Sequence, residues 1–178
     1  MKKYFISHLQ SLRGIAAIII LLHHQKSISR NLAQNDFMAN SDLAVDFFFV
    51  LSGFVIALNY QNIVFTLKTA ISFIKKRFLR LYPLHFIMLL IYLMLELLKY
   101  YFEKETGLIS NEPSFSKSNF SSFISNLFLL QGLVDSELSY NEVSWSISFE
   151  FYTYILFAFI IFFIHNKIIY FSLIVLIT

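Results

Sequence analysis

The chain has 178 residues, of which 57% are hydrophobic and 14% charged, with 22 phenylalanines. Globular chains average roughly 45–50% apolar and about 25% charged, so this is the composition of a membrane protein. A net charge of +3, with the basic residues beside apolar runs, argues for membrane orientation and anionic ligands rather than nucleic acid; the absence of cysteine excludes disulfides, Cys-ligated zinc and cysteine nucleophiles.

A transmembrane helix needs about 20 mostly apolar residues. The sequence offers five such segments and the start of a sixth, which predicts an all-α polytopic membrane bundle. The first runs from about Tyr4 to His24. Lys2 and Lys3 before it resemble the start of a signal peptide, but Arg13 interrupts the run and no small-x-small cleavage site follows, so it reads as a retained helix. Arg13 and His24 are eleven residues apart. At about 100° and 1.5 Å per residue they share a face, about 16 Å apart along the axis. A charge inside a membrane helix costs on the order of 3 kcal/mol and usually faces a cavity or a partner. Spacing alone leaves two readings open: a functional face carrying an anion-binding group and a proton-transfer group, or an arginine that snorkels inward below two capping histidines.

The second segment is Leu43 to Tyr60. Asp46 lies just inside it, where an unpaired carboxylate is expensive; it should find a cation or a histidine, either as a structural partner or to orient an imidazole. Ser52 and Gly53 read as residues for close helix packing rather than catalysis. Lys68, Lys75, Lys76, Arg77 and Arg80 follow with no acidic residue among them, which predicts a cytoplasmic loop and a cytoplasmic N-terminus. Arg77 and Arg80 are three apart, neighbours on a helix face, and suit either a polyphosphate gripped bidentately or a positive-inside flank; Lys75 and Lys76 suit the flank.

Pro83 is expected to begin the third segment, Leu84 to Tyr101, within which His85 reads as a buried hydrogen-bonded side chain. The fourth, Ser121 to Val134, is short and weakly apolar, as a re-entrant segment would be. The fifth runs from about Trp145 to Ile164 and carries Glu150, a carboxylate that is either a site residue or a hydrogen-bond partner for a neighbouring helix. The sixth begins at Ile168 and breaks off at Thr178, which predicts that the sequence is the N-terminal part of a longer membrane domain.

Four of these stretches, in order, resemble the acyltransferase-3 family of multi-pass membrane acyltransferases. "LQSLRGIAAIIILLHH" is similar to its opening helix, in which ten residues separate arginine from histidine; His24 has that spacing and His23 does not. "SDLAVDFFFVLSGFVI" is similar to its Gly-Val-Asp-x-Phe-Phe-x-Leu-Ser-Gly-Phe signature, with Ala44 in place of the glycine. "KKRFLRLYPLH" is similar to its Arg-x-x-Arg stretch followed by Tyr-Pro. "SWSISFEFYTYILF" is similar to Trp-Ser-Leu-Ser-x-Glu followed by Phe-Tyr, with Thr153 replacing that Phe and Tyr154 matching.

The resemblance covers about Leu9 to Phe157, the first half of a domain that typically has about ten membrane helices. It implies O-acylation, often O-acetylation, of cell-envelope carbohydrate, with acyl-CoA as donor substrate and no tightly bound cofactor or metal. It implies that His24 leads catalysis with Arg13 in support, that Arg77 and Arg80 help to hold the donor, and that Glu150 and Asp46 are site residues. The expected setting is the bacterial inner membrane. The alternatives are an acyl carrier or exporter serving another transferase, a structural membrane partner, and an inactive truncated homologue.

Overall fold

The computed structural model describes residues 7–24, 43–60, 63, 66–135 and 137–164, with the backbone alone described at 7, 8, 10, 23, 24 and 164. The described residues form five α-helices and no strand: α1 (Ser7–His24), α2 (Leu43–Tyr60), α3 (Leu67–Thr106), α4 (Phe120–Leu127) and α5 (Trp145–Ile164), the last entered through a 3₁₀ turn at Glu142–Ser144. The predicted all-α class is borne out. The region of Ile168 to Thr178, the expected sixth segment, lies outside the described residues. The chain divides into two units, Met1–Ile63 and Val64–Thr178.

In the first unit α1 packs on α2. The pattern is partly inverted relative to a soluble pair. Leu12, Ile15, Ile18, Leu21 and Leu22 on α1 and Leu43, Phe47, Val50 and Phe54 on α2 are exposed, while Arg13 and Ala16 on α1 and Leu51, Ser52 and Ile56 on α2 are buried. Lipid is as apolar as leucine, so large apolar side chains gain little by turning inward, and small and polar residues share the buried face with Leu51 and Ile56. The structure refines one expectation. An added Cβ at Gly53 would meet nothing within 4 Å, so Gly53 does not serve close packing among the described residues; Ser52 makes the contact by a hydrogen bond.

In the second unit the basic stretch is not a loop. It is the first half of α3, which runs unbroken for 40 residues, and Pro83 lies inside it rather than at its start. The helix begins at Thr66, whose hydroxyl accepts from the Thr69 amide at 3.3 Å, and ends at Gly107, whose φ of 69° suits only a residue without a Cβ penalty. Proline removes one main-chain hydrogen bond, a loss that membrane helices tolerate when neighbours support the site. Here the Tyr82 hydroxyl donates to the Leu127 carbonyl at 3.1 Å, and His85 Nε2 lies 2.8 Å from the Asn126 carbonyl, binding the end of α4 beside Pro83. Forty residues span about 60 Å, twice the roughly 30 Å hydrocarbon core, so α3 is not wholly a membrane span.

Three described helices are long and apolar enough to cross a membrane: α2, α3 and α5 with its leading turn. The apolar part of α1, Ser11–Leu22, is shorter. The fourth segment contains only eight helical residues, about 12 Å, followed by irregular chain. That length excludes a crossing by α4 itself and agrees with a re-entrant segment. Polar residues that the hydropathy pattern cannot place hold it: Ser148 donates to the Leu129 carbonyl at 2.5 Å, and Gln131 donates to the Ser144 carbonyl at 3.0 Å. Leu129 and Tyr140 have φ of 58° and 52°, a left-handed conformation that such side chains rarely adopt. Both are buried, and the Tyr140 amide donates to Ser118 Oγ at 3.0 Å, so packing and hydrogen bonds impose the strain.

Candidate functional site

The first unit carries Arg13, His24 and Asp46. Arg13 is 6% exposed, so it does not snorkel to water. Its Nη2 donates to Ser52 Oγ at 3.0 Å, and its guanidinium carbon lies 4.9 Å from the Phe48 ring centre. Phe48 and Ser52 are one turn apart on α2, so a single face of α2 receives the cation through a hydroxyl and a ring. Helix α1 continues without a break to His24, so the backbone keeps the register that puts positions 13 and 24 about 20° apart around the axis. The His24 side chain lies outside the described residues.

Asp46 stands in the first turn of α2, exposed and about 120° around the axis from Ser52. Among the described residues the carboxylate makes no ion pair, and the side chains of His23 and His24, the histidines nearest in sequence, lie outside the described residues. An acidic group in a first helical turn is favoured by the helix dipole.

The second unit carries Arg77, Arg80 and Glu150. Packing between α3 and α5 is antiparallel and aromatic: Phe73 meets Phe157 and Tyr154 at 5.6 and 6.1 Å, and Phe78 meets Phe151 at 5.7 Å. This register sets Arg77 against α5, with its guanidinium carbon 5.4 Å from the Phe73 ring centre and 5.1 Å from that of Tyr154. Tyr154 is the tenth of the 20 residues of α5. Arg77 therefore stands opposite the middle of an apolar helix, not in a loop beyond its end. Lys75, Lys76 and Arg80 are exposed on the same half of α3. Among the described residues neither Arg77 nor Arg80 makes an ion pair.

Glu150 is 8% exposed and accepts a hydrogen bond from the Tyr154 hydroxyl, one turn further along α5. Its partner is thus on its own helix rather than on a neighbouring one. Glu150, Tyr154 and Ala158 form the buried stripe of α5 at a spacing of four. The structure brings Glu150 and Arg77 to the same tyrosine. His85 is 2% exposed and bonded to Asn126, as expected of a structural histidine. Among the described residues no cluster of three His, Cys, Asp or Glu could hold a metal ion.

Sequence reasoning missed Phe48 and Ser52 as the seat of Arg13, and Phe73 and Tyr154 as the seat of Arg77. The available signal was spacing: Tyr154 is four residues from Glu150, and Phe73 four from Arg77, hence on the same helix faces. The buried amides Asn126 and Gln131 carried no such signal.

A curated relative from Rhizobium radiobacter, "Protein 2 in picA locus", is 42% identical to the chain over 79 residues, covering 43% of this chain and 38% of the relative. No solved structure matches. The family profile described as "Acyltransferase domain" of the acyltransferase-3 type matches residues 6–178. That span takes in all four motifs and both arginine seats: the chain belongs to the acyltransferase-3 family.

Proposed function

We propose that the protein is a membrane acyltransferase that moves an acyl group, acetyl foremost, from acyl-CoA to a hydroxyl of a cell-envelope carbohydrate. The observation that carries this reading is the family match over residues 6–178. The arginines support the donor class. Arg77 and Arg80 are cations on a membrane helix with no ion pair among the described residues, as a site for phosphate oxygens requires.

In this reading Arg77 and Arg80 hold the donor phosphates. His24 acts as general base toward the sugar hydroxyl. The hydroxyl oxygen forms the new ester bond at the thioester carbonyl as the carbon–sulfur bond breaks. The proton passes to His24 and then to the departing CoA thiolate. Arg13 supports the histidine face of α1, and Asp46 is a further site residue. The setting is the bacterial inner membrane with the N-terminus in the cytoplasm, as the basic residues favour.

The test is O-acetylation of surface polysaccharide in a deletion strain carrying the full-length gene with His24→Ala or Arg77→Ala. Loss of acetylation with the protein still present in the membrane is expected. Full acetylation with either variant overturns the role given to that residue. Transfer of label from radiolabelled acetyl-CoA to added glycan by the purified protein separates a transferase from a carrier.

A further inference from the structure

We propose that Tyr154 is a positioning residue for Arg77, and that Glu150 acts through Tyr154 rather than on the acyl group or on a histidine. The inference rests on the donor-holding role proposed for Arg77.

An arginine side chain has many rotamers, and one that must meet an anion needs something to hold it. Contact with an aromatic face does this without using any of the five guanidinium N–H donors, which stay available for phosphate oxygens. Arg77 lies at ring-contact distance from both Phe73 and Tyr154. Phe73 is four residues away on α3 and moves with Arg77, whereas Tyr154 belongs to α5 and ties the guanidinium to a second helix. The Tyr154 ring is 3% exposed, and its hydroxyl donates to Glu150. Glu150 makes no ion pair with Arg77. A direct pair would occupy the donors that the phosphate needs; the tyrosine separates the two charges and leaves them free. This assigns Glu150 the task of fixing a ring, which needs an acceptor oxygen but no negative charge.

The experiment measures kcat and KM for acetyl-CoA in membranes containing the full-length protein. Tyr154→Leu removes the ring and should raise the donor KM by roughly 2- to 30-fold with little change in kcat. The same change in an Arg77→Ala background should add nothing further, because the interaction is already lost. Tyr154→Phe keeps the ring and the packing, and should raise KM less. Glu150→Ala should behave like Tyr154→Phe, and Glu150→Gln, which keeps an acceptor for the hydroxyl, should recover most of the loss.

An unchanged donor KM in Tyr154→Leu overturns the inference. So does a Glu150→Gln protein that keeps its donor KM but turns over roughly 100-fold more slowly or worse, the order expected of a lost acid–base group. If Arg77→Ala itself leaves the donor KM unchanged, the donor-holding role fails and this inference falls with it. If Arg77→Ala weakens donor use and Tyr154→Leu does not, only the inference about Tyr154 fails.

Discussion

Arg13 on α1 and Ser52 on α2 are joined by a 3.0 Å hydrogen bond, and both side chains are buried while most of the large apolar side chains of α1 are exposed. The arginine is therefore a packing residue of the first unit as well as a site candidate. A hydrogen bond to a charged group contributes about 1.5–3 kcal/mol in water-soluble proteins, and interhelical bonds in membranes average nearer 0.6. Ser52→Ala should lower stability by about 1 kcal/mol, while Ser52→Thr, which keeps the hydroxyl, should cost less. Thermal unfolding of the detergent-solubilised protein reads the difference. Equal melting temperatures for wild type and Ser52→Ala would remove the bond from the account.

Three glycines give a contrast. A Cβ at Gly132 would lie 2.8 Å from the Trp145 carbonyl oxygen and 3.1 Å from the Phe149 ring. The nearest atom is backbone at the entry to α5 and cannot swing aside. Gly132→Ala should destabilise by about 1–3 kcal/mol, as overpacking does. A Cβ at Gly14 or Gly53 meets nothing within 4 Å among the described residues, and both sit in helix interiors. Alanine at either should be neutral or stabilising by up to about 1 kcal/mol from helix propensity. A Gly132→Ala protein as stable as the Gly53→Ala protein would show that the approach at Gly132 is not close.

The helices were legible because lipid-facing stretches need long apolar runs, and 43–60 and 145–164 match their helices residue for residue. The charge rule misreads 67–83 as a loop. It counts basic residues and has no term for α5, whose antiparallel packing puts Arg77 against Tyr154. Pro83 reads as a helix start because its missing N–H belongs there in isolation; the bonds from Tyr82 and His85 to the end of α4 are long-range facts. The site residues were visible as charges in apolar surroundings. Their seats were not, because Phe48, Phe73 and Tyr154 are three aromatics among many.

The chain after α3 is tied back to it by two carboxylates. Glu103 accepts from the Ser110 and Ser114 amides at 3.1 and 3.0 Å, and Glu96 accepts from the Phe115 amide at 3.0 Å. These bonds fix a segment that has no regular structure of its own, and Phe115 has a φ of 59° that nothing local favours. Glu103→Ala should release residues 108–115 without unfolding the helices. Faster hydrogen exchange and proteolysis confined to that segment are expected. Exchange as slow as in wild type would show that Glu96 and packing suffice.

His85 tests whether a histidine in a membrane helix is structural. Its ring is 2% exposed and its Nε2 lies 2.8 Å from the Asn126 carbonyl. Replacing it with leucine removes that partner from a buried acceptor, at a cost of about 1–3 kcal/mol. Glutamine can still donate to the carbonyl and should recover part of this loss. If His85 only docks α4 on α3, acyl transfer per folded molecule should survive in His85→Gln, whereas the role proposed for His24 predicts its loss in His24→Ala. Comparing the initial rate, normalised to folded protein, with the melting temperature separates the two roles. A stable His85→Gln protein that has lost transfer would move His85 from the scaffold to the site.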